Sequence, residues 1–247
     1  MNILELKNIS LTYYSKNGET LALDNVNFTV SPGEFISIVG PSGCGKTTIL
    51  SIISKLIQPT KGEVILNTNS KPGYMFQKDL LFEWRTILKN IFLGLEIRKS
   101  NTEQEQERVK NLLKKYGLWE FKDKYPRQLS GGMRQRAALI RTLALSPDLL
   151  LLDEAFSALD FQNRIKVCDD VKRILNEEKA TAILVTHDIN EAISLSDRIV
   201  ILSNKPGTVK EIITLEDLKT LTPFERRESP LSTKYFDKIW GELQNES

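Results

Sequence analysis

Nine residues constrain this chain more than any others: Gly40-Pro41-Ser42-Gly43-Cys44-Gly45-Lys46-Thr47-Thr48. They follow the apolar run Phe35-Ile36-Ser37-Ile38-Val39, which reads as a buried strand, and precede Ile49-Leu50-Ser51-Ile52-Ile53, which reads as a helix. Strand, glycine-rich loop and helix form the setting that the phosphate-binding pattern G-x-x-x-x-G-K-[ST] requires. Gly40, Gly43 and Gly45 let the backbone turn tightly and aim successive N–H groups inward, and a helix starting near Lys46 adds the positive end of its dipole. A polyphosphate fits such a cup. Lys46 should reach the outer phosphates as a mobile point charge, and the Thr47 hydroxyl is placed to ligate Mg²⁺.

The 247 residues suffice for one large domain or two small ones. With 34 Lys and Arg against 32 Asp and Glu, nothing suggests the basic surface that nucleic-acid binding needs, so no nucleic-acid partner is expected. Two cysteines, Cys44 and Cys168, make neither a disulfide framework nor a zinc site and favour a reducing compartment. The N-terminus lacks a signal-peptide pattern, and no apolar run approaches the ~18 residues of a membrane span. Any membrane association is therefore expected to come through a partner.

Residues 3–14 and 21–30 alternate apolar and polar and read as antiparallel strands joined by Ser15-Lys16-Asn17-Gly18-Glu19. Tyr13 is either a half-buried strand aromatic or a platform for a stacked base. Short strands are expected at 64–66 and 72–77, the latter ending on Gln77. From Asp79 to Arg98 apolar residues recur at helical spacing, and the charged run 99–115 reads as a solvated helix with one apolar side at Leu112, Leu113 and Tyr116. This change of composition implies a helical subdomain, about 78–145, inserted into an α/β core. Ser130-Gly131-Gly132 opens an alanine- and leucine-rich helix: Ser130 fits an N-cap, and the glycines leave backbone N–H groups uncovered, as a flexed helix start or a second anion site.

Leu149-Leu150-Leu151-Leu152 suits a strand buried on both faces, with Asp153 and Glu154 at its carboxyl end. Asp153 is placed to orient Mg²⁺ or its waters, and Glu154 to accept a proton from an attacking water. Ser157-Ala158-Leu159-Asp160 and a helix from about Gln162 follow. Residues 181–186 form one more buried strand, with the single histidine, His187, just past its end at the same sheet edge. Two closing strands surround Asn204-Lys205-Pro206-Gly207. The tail 215–247 carries Phe236, Ile239, Trp240 and Leu243 at helical spacing, as a helix docked on the core.

The phosphate loop, Leu129-Ser130-Gly131-Gly132-Met133, the Leu-Leu-Leu-Leu-Asp-Glu run, Ser157-Ala158-Leu159-Asp160 and Thr186-His187-Asp188, in this order, resemble the nucleotide-binding subunit of ABC transporters over nearly the whole chain. The serine-glycine-glycine signature is the specific part. The resemblance implies one cassette over residues 1–247: an α/β P-loop core with a mostly parallel sheet, an N-terminal antiparallel subdomain and an inserted helical subdomain. It makes ATP and Mg²⁺ the cofactors, Tyr13 the aromatic on adenine and residues 40–48 the phosphate cradle. Gln77 contacts Mg²⁺ and the membrane partner, Glu154 is the catalytic base, His187 meets the γ-phosphate, and Ser130, Gly131, Gly132 and Asp160 join the nucleotide site.

Met133 replaces the usual signature glutamine, and Ala155 a proline that often follows the glutamate; neither removes a phosphate or metal ligand. By the same likeness the partners are a second ATPase subunit (here a second copy), transmembrane permease subunits and, through them, an extracytoplasmic substrate-binding protein, at the cytoplasmic face of the membrane. Gly73 to Asp79, Ser196 to Ser203 and Lys205-Pro206-Gly207 look most like importers of nitrate, sulfonates, taurine or vitamin precursors. Alternatives are an exporter motor or a soluble assembly ATPase of the same family. A GTP switch is disfavoured because Asn204-Lys205-Pro206-Gly207 lacks the carboxylate that reads guanine. Cys44, inside the loop, should react with a maleimide and be protected by MgATP.

Overall fold

The computed structural model describes residues 1–16, 18–68, 71–100, 102–157 and 159–244. Asn17, in the expected link between the first two strands, Ala158, in the Ser157-Ala158-Leu159-Asp160 stretch, and the last three residues of the tail lie outside the described residues. β1 (Leu4–Ser15) pairs antiparallel with β2 (Gly18–Val30), as the alternation implied, and on its other side with β4 (Lys61–Leu66). The third partner arrives only after β3 (Phe35–Val39) and α1 (Lys46–Ile53), so a three-stranded sheet, order β2-β1-β4, closes around part of the core.

The second sheet runs β5-β6-β7-β3-β8-β9, with β5 at Gly73–Met75, β6 at Leu149–Asp153, β7 at Thr181–Val185, β8 at Arg198–Leu202 and β9 at Val209–Thr214. Five strands are parallel and β9 returns antiparallel. The four leucines of β6 explain why this sheet is central. Successive side chains of a strand face opposite sides, so Leu150 and Leu152 enter one apolar cluster while Leu149 and Leu151 enter another. All four are fully buried, a gain of about 1.5–3 kcal/mol each over exposure.

Between β5 and β6 the chain is helical: α2 (Ile87–Ile97), α3 (Glu103–Lys115), two 3-10 turns and α4 (Gly131–Leu143). The expected helix from Asp79 starts instead at Ile87. Thr86 caps it by accepting from the Lys89 N–H, and Asn90, fully buried, ties down the preceding loop through the Phe82 N–H and the Phe82, Arg85 and Thr86 carbonyls. α3 opens on a capping box at Thr102 and Glu105 and buries Val109, Leu112 and Leu113. α5 (Phe161–Glu177) and α6 (Ile189–Leu195) link the later strands, and α7 (Pro223–Glu228) precedes α8 (Pro230–Gln244). α8 docks through Ile239, with Phe236 and Leu243 packed on the same cluster as the tail's spacing predicted, whereas Trp240 stays half exposed and stacks on Phe236.

Candidate active site

Parallel pairing brings the carboxyl ends of β5, β6, β7 and β3 to one edge of the sheet, where open α/β sheets hold ligands. Gln77 follows β5, Asp153 and Glu154 end β6, Thr186 and His187 follow β7, and Gly40 follows β3. Four segments distant in sequence are thereby aligned.

In the loop itself, Gly43 and Gly45 have φ of 80° and 107°, the left-handed region that glycine occupies without strain. A Cβ on Gly45, the N-cap of α1, would also lie 2.5 Å from Leu23 Cδ2. Lys46, read from sequence as a mobile charge, is held in place: its Nζ donates to the Gly40 and Pro41 carbonyls at 2.7 and 2.8 Å, and the side chain is buried. Cys44 is fully buried as well, and burial pushes its thiol pKa up. An accessible Cys44 is therefore corrected: its thiol packs beneath the loop, 3.9 Å from Lys46 Nζ. Pro41 and Ser42 complete the turn, and Thr48, in the first turn of α1, has its Oγ1 3.3 Å from the hydroxyl of Tyr13 near the end of β1.

Two hydroxyls hold the Asp153 carboxylate. Thr47 Oγ1 donates to Oδ1 at 2.9 Å, and the Tyr74 hydroxyl on β5 donates to Oδ2 at 3.0 Å. Burial pushes this carboxyl up, and the two hydrogen bonds pull against it. Glu154 sits at φ 45°, a conformation few bulky side chains adopt, fixed by its N–H donating to the Val185 carbonyl at 2.8 Å. The turn aims its carboxylate between two neighbours: Gln77 Nε2 and His187 Nδ1 each lie 3.4 Å away. Gln77 Nε2 also donates to Ser157 Oγ at 3.1 Å. Glu154 and His187, singled out by their place at the strand ends, thus meet Gln77, which the family resemblance had named, in one cluster.

Ser130, Gly131 and Gly132 belong elsewhere. Ser130 caps α4, accepting from the Met133 N–H at 3.4 Å, and a Cβ on Gly131 or Gly132 would press on Leu159 or Val167 at 3.2 and 3.0 Å. The glycines therefore also allow α4 and α5 to pack closely. Among the described residues, no hydrogen bond joins 130–132 to the cluster around Asp153 and Glu154. Asp160 caps α5 by accepting from the Asn163 N–H at 3.1 Å.

Three contributors were given no part in the site by the sequence. Tyr74 looked like one more strand aromatic; only the β5–β6 pairing brings its hydroxyl to Asp153. Arg164 bridges the turns after β6 and β7, donating to the Leu159 carbonyl and to Asp188 Oδ2 at 3.1 and 3.0 Å. Gly207 lies against the back of the phosphate loop, where a Cβ would collide with the Cys44 carbonyl.

A family model described as ABC transporter matches residues 23–157, more than half of the chain. The chain belongs to the ABC transporter family. It is an ATP-hydrolysing ABC cassette, the ATP-binding motor subunit of a transporter. It is 47% identical over 252 residues to the uncharacterized ABC transporter ATP-binding protein YtlC of Bacillus subtilis, covering 99% of this chain and 97% of that protein. The bicarbonate transport ATP-binding protein CmpD of Synechocystis is 38% identical (86% of this chain, 78% of CmpD), and the aliphatic sulfonates import ATP-binding protein SsuB of Bacillus anthracis is also 38% identical (85% of each). Among solved structures, the dimeric ABC transporter cassette MJ0796 superposes with a TM-score of 0.73 at 36% identity (86% of this chain, 98% of that one). A dimer of MJ0796 in a post-hydrolysis state, bound to ADP and Pi, gives 0.71 with the same identity and coverage. CbiO1 of Clostridium perfringens, part of the ABC transporter complex cbiONQ, gives 0.76 at 25% identity (92% and 94%). Among the described residues, no helix of this ABC ATPase is long and apolar enough to cross a membrane.

Proposed function

We propose that the edge formed by β3, β5, β6 and β7 is one half of a hydrolytic site whose other half, Ser130 to Gly132, comes from a second copy of the chain, residues 1–247 acting as one cassette. The observation that carries this reading is the placement of Glu154: a left-handed turn fixes its carboxylate between Gln77 and His187, while the signature caps a different helix. In this reading the backbone of 40–48 cradles the phosphates, Lys46 leaves its loop carbonyls to meet the outer phosphates, and Tyr13 stacks on adenine. Glu154 takes the proton of the attacking water, His187 contacts the γ-phosphate, and Asp160 borders the site from the turn before α5. The Thr47 hydroxyl, the Asp153 carboxylate and the Gln77 amide oxygen are the hard oxygen donors that Mg²⁺ prefers, and two of them already lie 2.9 Å apart. Bound there, Mg²⁺ neutralises developing phosphate charge.

Closure is driven by a ligand only if the closed state binds it better. ATP meets that condition, because its γ-phosphate gains the partner's Ser130 hydroxyl and glycine N–H groups only when two copies close. The ABC motor would then pass each cycle of closure and reopening to permease subunits served by an extracytoplasmic binding protein. Bicarbonate and sulfonate systems among its relatives favour import of a small anion or sulfonate. Glu154→Gln should bind ATP with wild-type affinity and lose turnover by at least about a hundredfold. Wild-type turnover would remove Glu154 from this role. Co-expression with transmembrane permease subunits from its own source should recover a membrane-bound complex; failure of every such permease to retain the chain on membranes would end the transport reading.

A further inference from the structure

The loop that carries Gln77 and the helix headed by Ser130 are fastened together by two arginines. Asp79 lies two residues past Gln77, and Arg134 four residues past Ser130. Arg134 grips Asp79 with two hydrogen bonds, Nε to Oδ2 at 2.8 Å and Nη2 to Oδ1 at 3.2 Å, and Nη2 also reaches Glu83 Oε1 at 2.8 Å. Two helical turns on, along the same face, Arg141 donates to the main chain of the same spot: Nη2 to the Asp79 carbonyl and Nη1 to the Leu80 carbonyl, both at 2.7 Å. Leu80 adopts φ 47° with its side chain half exposed, an unfavourable pairing of residue and backbone, and the Arg141 fork takes up both carbonyls of this turn. Burial pushes the Asp79 carboxyl up, but the Arg134 hydrogen bonding, the Leu81 N–H and the charges of Arg134 and Arg141 together hold the group below the usual carboxylate range.

These contacts are not needed to hold the start of α2. Asn90 already secures residues 82–86, so the arginines act on the segment next to Gln77. We infer that Asp79, Arg134 and Arg141 are positioning residues, forming a clamp that makes the Gln77 loop move with the signature helix; the inference rests on the two-copy site proposed above. Two residues span at most ~7 Å, so a displacement of α4 that carries Asp79 beyond the slack of this short link also moves Gln77 against Glu154. Capture of the partner's nucleotide at Ser130 is thereby reported to the hydrolytic cluster of the same chain.

The test uses the full chain with Arg134→Met and, separately, Asp79→Asn, each of which keeps the local volume. ATP affinity should stay within about twofold of wild type while kcat falls about tenfold to a hundredfold. A structural lesion alone would not produce the second readout, amide hydrogen exchange in a Glu154→Gln background. On adding ATP, residues 78–81 and 131–135 should change protection together when the clamp is intact, and only 131–135 should respond in Arg134→Met. A joint response that survives Arg134→Met, or wild-type kcat in both variants, would overturn the clamp while leaving the two-copy site standing. If ATP fails to pair the Glu154→Gln chains with the clamp intact, the two-copy site falls and the clamp with it.

Discussion

Replacing Glu191 by Gln should make this protein more stable, and the gain should depend on pH in a way the structure dictates. Glu191 lies on α6, directly after the His187 turn, and is only 6% exposed. From α5 it faces Arg164 and, at 3.9 Å, the thiol of Cys168; from the turn before α6 it faces Thr186, His187 and Asp188. Burial, chiefly, with help from Asp188 and against the Thr186 hydrogen bond, Arg164 and His187, lifts its pKa from 4.5 to about 7. The folded carboxyl thus holds its proton where the unfolded one has lost it, and ionisation opposes folding. The penalty is absent below the unfolded value, grows as pH rises from 4.5 to 7 and is complete above. A shift of this size corresponds to roughly 3 kcal/mol at pH 8 and roughly 1 kcal/mol at pH 5. Glutamine keeps the shape and carries no charge, so the stability gap between Glu191→Gln and wild type should open across that window. Urea unfolding of both proteins at pH 5, 6, 7 and 8 measures it. A gap that stays flat with pH, or a variant less stable than wild type at pH 8, would refute the reasoning.

Lys46→Ala removes the only side-chain cation inside the phosphate loop, and calorimetric titration should find ATP affinity lowered by at least about tenfold; wild-type affinity would contradict the assignment. Tyr74→Phe leaves one buried oxygen of Asp153 without its donor and should cost about 1–3 kcal/mol, with a fall in melting temperature of roughly 2–4 °C for each kcal/mol. An unchanged melting curve would mean the hydroxyl is dispensable. Native protein should label slowly with a maleimide and fast in urea, because Cys44 and Cys168 are both buried and their thiol pKa values are raised. Rapid labelling of the native chain would place Cys44 outside the packing described.

Much of this architecture could be read in advance, because its strands are short, apolar and bounded by glycine, proline or charge. The phosphate loop and the four leucines of β6 demanded a buried parallel sheet, and strand ends in such a sheet share an edge. That logic places Asp153, Glu154 and His187 at one edge; Gln77 joins them in the sequence only through the family resemblance. Contacts that join distant segments without a periodic signal were not legible. Nothing in the sequence pairs Tyr74 with Asp153, or Asp79 with Arg134, 55 residues later. The region 79–86 misled because its apolar spacing is helical, whereas Asn90 and the two arginines absorb its backbone groups in an irregular turn. Lys46 and Cys44 were read for their chemistry, and their burial depends on how the 203–207 turn and β2 close on the loop.

Two half-sites from separate molecules are proposed to grip one nucleotide, and the molar mass of Glu154→Gln in solution tests this most directly. Light scattering in the presence of ATP and Mg²⁺ should give about twice the 28.1 kDa of one chain, and with ADP the mass of a single chain. A single-chain mass with ATP, in a sample that calorimetry shows to be saturated, would contradict it.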